Sequence, residues 1–263
     1  MLIFSLALAP ALALGMFMYF KDKYKREPLQ WLALAFVLGC VSILFAFVIE
    51  LLFNEIFAFD IKENFWLLFI FSFGVVALTE ESCKFAFLRI FFYRKKFFSE
   101  PINGIIYSVM LSLGFAFAES VLYLLASENI FSTAIVRSLT AVPAHFVFAV
   151  FMGHFMGLAR FTFARRRTLL VFTGFISAVF VHGLYDFFLL AYWMPLGFNS
   201  ISFLVLLVGI IISLFLIKKS QKYSPYVRRK KWLKDLEDAK HTSFKEKLAE
   251  KKESLKQKFH KKK

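Results

Sequence analysis

Cysteine is scarce in this chain, with two in 263 residues, and neither belongs to a metal-binding spacing. Cys40 and Cys83 both fall inside apolar stretches. That excludes a disulfide framework and a cysteine-based zinc motif, and leaves a small buried thiol as the reading of each. Acidic residues are also few: 18 Asp and Glu stand against 33 Lys and Arg, a formal charge of +15. The bases are not laid out as a nucleic-acid patch, because 18 of the 33 lie from Lys218 onward and most others flank apolar segments. Such a layout reports membrane topology, and no nucleic-acid partner is expected. No HExxH occurs, which excludes a zincin arrangement. No repeat of fixed period occurs either, so a transporter built from duplicated halves finds no support.

What the chain does have is apolar length. It is 59% hydrophobic, holds 38 Phe and has a mean hydropathy of +0.65. Seven runs are long enough to cross a bilayer as helices: 2–20, 29–53, 65–92, 101–126, 134–158, 169–192 and 200–217. The first has no cationic region before it, and Lys21–Arg26 follow it, so it reads as a membrane helix and not as a cleaved signal. The expected fold is an all-α, polytopic membrane protein of about seven transmembrane helices. A transmembrane domain over 1–217 is followed by a basic tail over 218–263.

Lys and Arg in the first, third and fifth connections number 4, 3 and 4, against 1, 0 and 0 in the other three. With the tail added, this predicts an external N-terminus and a cytoplasmic C-terminus. In the tail, Phe244, Leu248, Leu255 and Phe259 make a narrow apolar stripe among Lys and Glu. A helix lying on anionic lipid and a solvated or disordered tail are both compatible with that stripe.

Six ionisable residues interrupt the apolar runs: Glu80, Glu81, Glu119, His145, His182 and Asp186. A charge at mid-membrane costs about 2.5–3.5 kcal/mol even on translocon scales, so such groups mark partners, water or chemistry. At about 1.5 Å per residue, Glu80, Glu81, His145 and His182 fall near the middle of their spans. Glu119 and Asp186 fall about 8 Å outward of theirs. All six therefore suit one central cavity.

Local spacing adds detail. Glu80 and Lys84 are i, i+4, so Lys84 can neutralise one carboxylate while adjacent Glu81 points about 100° away. His182 and Asp186 are also i, i+4, so the carboxylate can orient the imidazole. Phe115 stands one turn before Glu119, among small residues that allow close helix approach. Pro143 is expected to kink the fifth span. His154 reads as structural and Glu50 as interfacial.

As motifs these residues are Glu80-Glu81-Ser82-Cys83-Lys84, Phe115-Ala116-Phe117-Ala118-Glu119, His145, and His182-Gly183-Leu184-Tyr185-Asp186. In that order, on consecutive spans, they resemble the PrsW family of bacterial intramembrane proteases, relatives of the CAAX endopeptidases and bacteriocin-processing membrane proteases. Ser120 departs from the family pattern, where Asn follows the glutamate. The resemblance implies an intramembrane endopeptidase of the bacterial cytoplasmic membrane that cuts a single-pass membrane protein, in that family an anti-sigma factor. It implies an active site of Glu80, Glu81, Glu119, His145 and His182.

Two chemistries fit these residues. In one, His145, His182 and Glu119 bind Zn²⁺, with Glu80 or Glu81 as general base. In the other, no metal is used, and a glutamate made more basic by apolar surroundings activates water. Lys84, Asp186 and Phe115 have supporting roles in both. A cation or proton transporter using the same carboxylates, and a non-catalytic membrane scaffold, are the alternatives.

Overall fold

Backbone groups in hydrocarbon must find partners within their own segment, so long apolar runs poor in Gly and Pro become helices. The computed structural model describes residues 1–57, 64–195 and 197–227. Its helices are α1 (Leu2–Lys21), α2 (Leu29–Phe57), α3 (Phe65–Phe69), α4 (Leu78–Phe87), α5 (Ile102–Ala126), α6 (Ile130–Leu139), α7 (Ala141–Arg160), α8 (Ala164–Leu190) and α9 (Ile201–Lys222). A π-helical stretch, Ile70–Ala77, joins α3 to α4, and a second, Leu88–Phe92, extends α4. Together these make seven apolar segments long enough to span a membrane, at the predicted places. The last helix runs five residues beyond the predicted span, to Lys222. Residues 1–223 form one compact unit; 224–263 form another, and the tail stripe lies outside the described residues.

α5 and α7 are the most buried helices and pack against each other at the centre. α1 and α2 lean on α5, while α8 and α9 lean on α7. Large apolar side chains such as Leu44, Phe45, Phe172, Phe180, Leu207 and Ile211 are exposed on the outside, as lipid contact requires. Backbones cross closely where side chains are missing. A Cβ at Gly114 would strike the Phe36 carbonyl, and one at Gly39 the Leu111 carbonyl, so α2 and α5 meet almost backbone to backbone. The Cys40 thiol donates to the Gly114 carbonyl across this crossing, 3.2 Å away.

The fifth span is broken, not merely kinked. Pro143 has no N–H to give to Leu139, and its ring collides with that carbonyl, so α6 ends at Leu139 and α7 starts at Ala141. Thr140 between them leaves helical geometry, with φ −123° and ψ −72°.

Away from the centre, a buried polar knot ties the first and third connections to α5. Asn103 donates to Glu27 Oε1 at 2.6 Å, and its own carbonyl accepts from the Glu100 amide at 2.7 Å. The Tyr107 hydroxyl donates to the other Glu27 oxygen, and the Glu27 amide donates to Asp22 Oδ2 at 2.7 Å. Burial pushes the Asp22 carboxyl up to about 7; the Glu27 amide opposes this, while the Glu100 and Glu27 carboxylates add to it.

Candidate active site

Four segments bring the ionisable residues together. Glu80, Glu81 and Lys84 come from α4, directly after the π-helical stretch. Glu119 comes from α5, His145 from α7, and His182 and Asp186 from α8. A cavity of about 600 Å³ opens beside them and is lined by Glu80, Glu119, His145, His182 and Asp186, with Phe115 in its wall. Glu81 and Lys84 are not among its lining residues; both are sealed behind it, at 1% and 2% exposure. The two adjacent glutamates therefore have different surroundings, Glu80 facing the cavity and Glu81 the protein.

Lys84 is the hub. Its ammonium lies 3.0 Å from Glu80 Oε2, 2.8 Å from Glu81 Oε1 and 3.1 Å from His145 Nδ1. It also sits 4.0 Å above the Phe115 ring, which gives that phenylalanine a cation–π role. Spacing alone led to the expectation of one Lys84–glutamate pair. Both pairs form because i, i+3 and i, i+4 are both neighbours on a helix.

The ammonium can only donate, so His145 Nδ1 accepts and the ring's proton sits on Nε2. That nitrogen donates to Glu119 Oε2 at 2.8 Å. The same oxygen is 2.8 Å from the Arg137 guanidinium, whose Nε donates to Ser120 Oγ at 3.0 Å. Ser120 thus serves as the acceptor that fixes Arg137.

His182 is gripped from both sides. Its Nδ1 is 3.0 Å from Glu81 Oε1 and its Nε2 is 3.1 Å from Asp186 Oδ2. With both carboxyls ionised the ring must donate from both nitrogens, so His182 is then an imidazolium. It lies flat on Phe148, with ring centres 4.4 Å apart. Its Nε2 is also 4.0 Å from Glu80 Oε2, across the cavity wall.

Two further residues belong to the site although neither was singled out for it in sequence. Arg137 is a lone cation on short α6, and the break at Thr140 turns it toward Glu119. Glu50 also lines the cavity. Ile43, Ala46, Phe47 and Glu50 form one face of α2, and that face lines the cavity. His154 lies elsewhere, buried, with its Nδ1 2.7 Å from Ser220 Oγ.

Seven apolar spans around a cavity edged with carboxylates, imidazoles and held cations define a multi-span membrane protein with a buried polar site. The chain belongs to the PrsW family of intramembrane metalloproteases, whose family model matches residues 27–216. It is 38% identical over 189 residues to Protease PrsW of Geobacillus kaustophilus, covering 71% of this chain and 79% of that one. With Protease PrsW of Clostridioides difficile it shares 35% over 192 residues, 72% and 79% of the two chains. The Bacillus subtilis protein of that name is 34% identical over 194 residues, 72% and 83% of the two. No solved structure matches the chain significantly. The protein is an intramembrane protease, a multi-pass protein of the bacterial cell membrane, and the transporter and scaffold alternatives lose their ground.

The family description raises the question of a metal. Among the described residues, the donors that come within 4.8 Å of one another are on Glu80, Glu81 and His145. Two carboxylates and an imidazole suit a hard or borderline divalent ion with an open position for water. The set expected from sequence, His145, His182 and Glu119, is arranged differently. His182 has both nitrogens on carboxylates, and the Glu119 oxygen that meets His145 also meets Arg137. The converging set is the same three groups that hold the Lys84 ammonium, so the donors suit a cation, and a metal held by all three would compete with Lys84 for them.

Proposed function

We propose that the protein hydrolyses a peptide bond in a single-pass membrane protein drawn into this cavity, with Glu80 as general base. The observation that carries the assignment is the split between the two glutamates, Glu80 on the cavity wall and Glu81 sealed against His182. Glu80 takes a proton from water, and the water oxygen attacks the carbonyl carbon. The His182 imidazolium, facing Glu80 across the wall, stabilises the oxyanion that forms. Collapse breaks the C–N bond, and the proton on Glu80 passes to the leaving amine. Glu81 and Asp186 hold His182 doubly protonated, while Arg137 and Glu119 hold His145. Glu80, Glu81 and His145 would hold a metal such as Zn²⁺, which would supply a more acidic water there and so lessen the need for Glu80 as base.

The charge asymmetry of the connections supports an external N-terminus, with the mouth near Tyr123, Arg137 and Leu190 on the external side. The substrate fits a membrane-anchored anti-sigma factor cut at that side, and the basic tail fits anionic lipid on the cytoplasmic leaflet.

The test is cleavage of a single-span peptide by protein reconstituted in vesicles. Glu80→Gln should lower turnover at least about 10³-fold with insertion and abundance intact. Turnover retained in Glu80→Gln would remove Glu80 from the chemistry. Elemental analysis of wild type and His145→Ala reads the metal directly: near-stoichiometric zinc lost in the variant supports the metal chemistry. Metal-free protein that still cleaves supports Glu80 alone.

A further inference from the structure

Glu50 is the one acid of the cavity that the proposed chemistry leaves unused, and its position is informative. The α2 face that carries it begins at Ile43, which packs with Ala46, Cys83 and Phe115 at the level of the catalytic turn of α4. Glu50 stands seven residues further along, about 10 Å up the helix axis toward the proposed external mouth. Its Oε1 is buried and accepts no hydrogen bond, although the residue lines the cavity. An acceptor desolvated in this way costs about 1–3 kcal/mol until a donor arrives.

The charges around it say what kind of donor. Glu50 shares the cavity lining with Glu80, Glu119, His182 and Asp186, and Lys84 lies sealed behind that wall. Lys84 is held by Glu80, Glu81 and His145, and Arg137 by Glu119. His182 is held by Glu81 and Asp186. The cavity wall and its backing thus combine five carboxyl groups with three cations, Lys84, Arg137 and the His182 imidazolium, each already engaged. A peptide N–H would satisfy one oxygen and leave the acid excess as it was; an ammonium or guanidinium satisfies both.

We infer that Glu50 is a specificity subsite for a basic side chain, Lys or Arg, of the substrate. An extended segment advances about 3.3 Å per residue, so about 10 Å places that side chain about three residues from the scissile bond, on its external side. The inference rests on the protease reading and names one feature of its substrate.

The experiment pairs binding with cleavage. A labelled single-span peptide, uncharged around its cleavage site as mapped with the wild type, is altered to Lys one position at a time. Each version is titrated onto Glu80→Gln protein in nanodiscs. Lys about three residues outward should tighten binding about tenfold, as a charge-assisted hydrogen bond does. Adding Glu50→Gln should bring the ratio to about one, and Glu50→Lys should make Glu the preferred residue there. A Lys gain that persists in Glu50→Gln, or no gain at any position, overturns the subsite. Active protein is assayed on the same peptides. Cleavage without a Lys effect overturns the subsite alone, whereas no cleavage of any peptide overturns the protease reading and the subsite with it.

Discussion

Replacing Lys84 with Met removes the cation on which Glu80, Glu81 and His145 converge, and keeps the length and most of the apolar contact with Phe115. Glu81 is 1% exposed and sealed behind the cavity, so solvent cannot replace the lost ammonium there. Removing one partner of a buried ion pair leaves an uncompensated charge and costs about 3–5 kcal/mol. Lys84 serves two carboxylates, so the upper end of that range is expected. The loss should be recoverable in a specific way. If the seat is shared with a metal, Zn²⁺ added to Lys84→Met binds the three vacated donors. It then raises stability by RT ln(1 + [Zn²⁺]/Kd), about 2.7 kcal/mol at a hundredfold excess over Kd. In the wild type the same zinc must displace the ammonium first, so its effect is smaller and its apparent Kd weaker. Thermal unfolding of both proteins in one detergent, over a zinc series with a chelator control, reads both quantities. Equal zinc stabilisation of wild type and Lys84→Met would refute a shared seat. An unchanged unfolding temperature in metal-free Lys84→Met would refute the role of Lys84 as resident counter-ion.

Arg137→Gln should lower turnover about 10–100-fold, equivalent to about 1.4–2.7 kcal/mol of transition-state stabilisation, because Glu119 then loses its cation and His145 its rigid acceptor. Arg137→Lys should recover only part, since one ammonium cannot reach both Glu119 and Ser120; full recovery in the cleavage assay would argue against this bidentate role. Gly114→Val should destabilise the fold by about 3 kcal/mol or more, as the new side chain meets the backbone of Phe36 and not a movable side chain; unaltered unfolding would contradict the close crossing. Asp22, pushed up to about 7 from its ordinary 3.8, keeps a proton in the folded state that the unfolded chain has already released. Its share of stability is therefore full below about pH 4 and is lost as pH rises through about 7. Asp22→Asn should flatten unfolding temperature against pH across that window, and a profile as steep as the wild type's would contradict the assignment.

The spans were legible because apolar length is a coarse signal that neighbouring residues reinforce. Depth along each helix was legible too, since rise per residue turns position into height; it put Glu80, Glu81, His145 and His182 near mid-span and Glu119 and Asp186 about 8 Å outward. Facing was not legible. The i, i+4 rule found Lys84 beside Glu80, but Lys84 also reaches Glu81 and crosses to His145, and no spacing within one helix reports a partner on another. Glu50 was underread for a related reason: its distance from the span end gives its depth, but not that its α2 face lines the cavity. Arg137 had one readable cue, a proline six residues on. The consequence of Pro143 was read as a bend, and a full break was needed to turn Arg137 inward.

Both irregular stretches of backbone near the cavity deliver residues to it. The π-helical segment Ile70–Ala77 contributes Phe71 and Val76 to the wall and sets the rotation of α4, hence which of Glu80 and Glu81 looks inward. The break at Thr140 places Arg137 and Ala141 on the opposite wall. Irregular backbone at membrane depth is tolerated only where protein or a watered cavity covers it, so the two distortions and the cavity are mutually dependent. A fold made only of ideal helices would bury these carboxylates against apolar neighbours or turn them to lipid, at a cost no ion pair in one helix could offset. The distortions let four segments present their charged groups to one another first and to the cavity second. On the proposed mechanism, that order accounts for Glu81, Lys84 and Asp186 serving to hold partners and for Glu80 serving as the base.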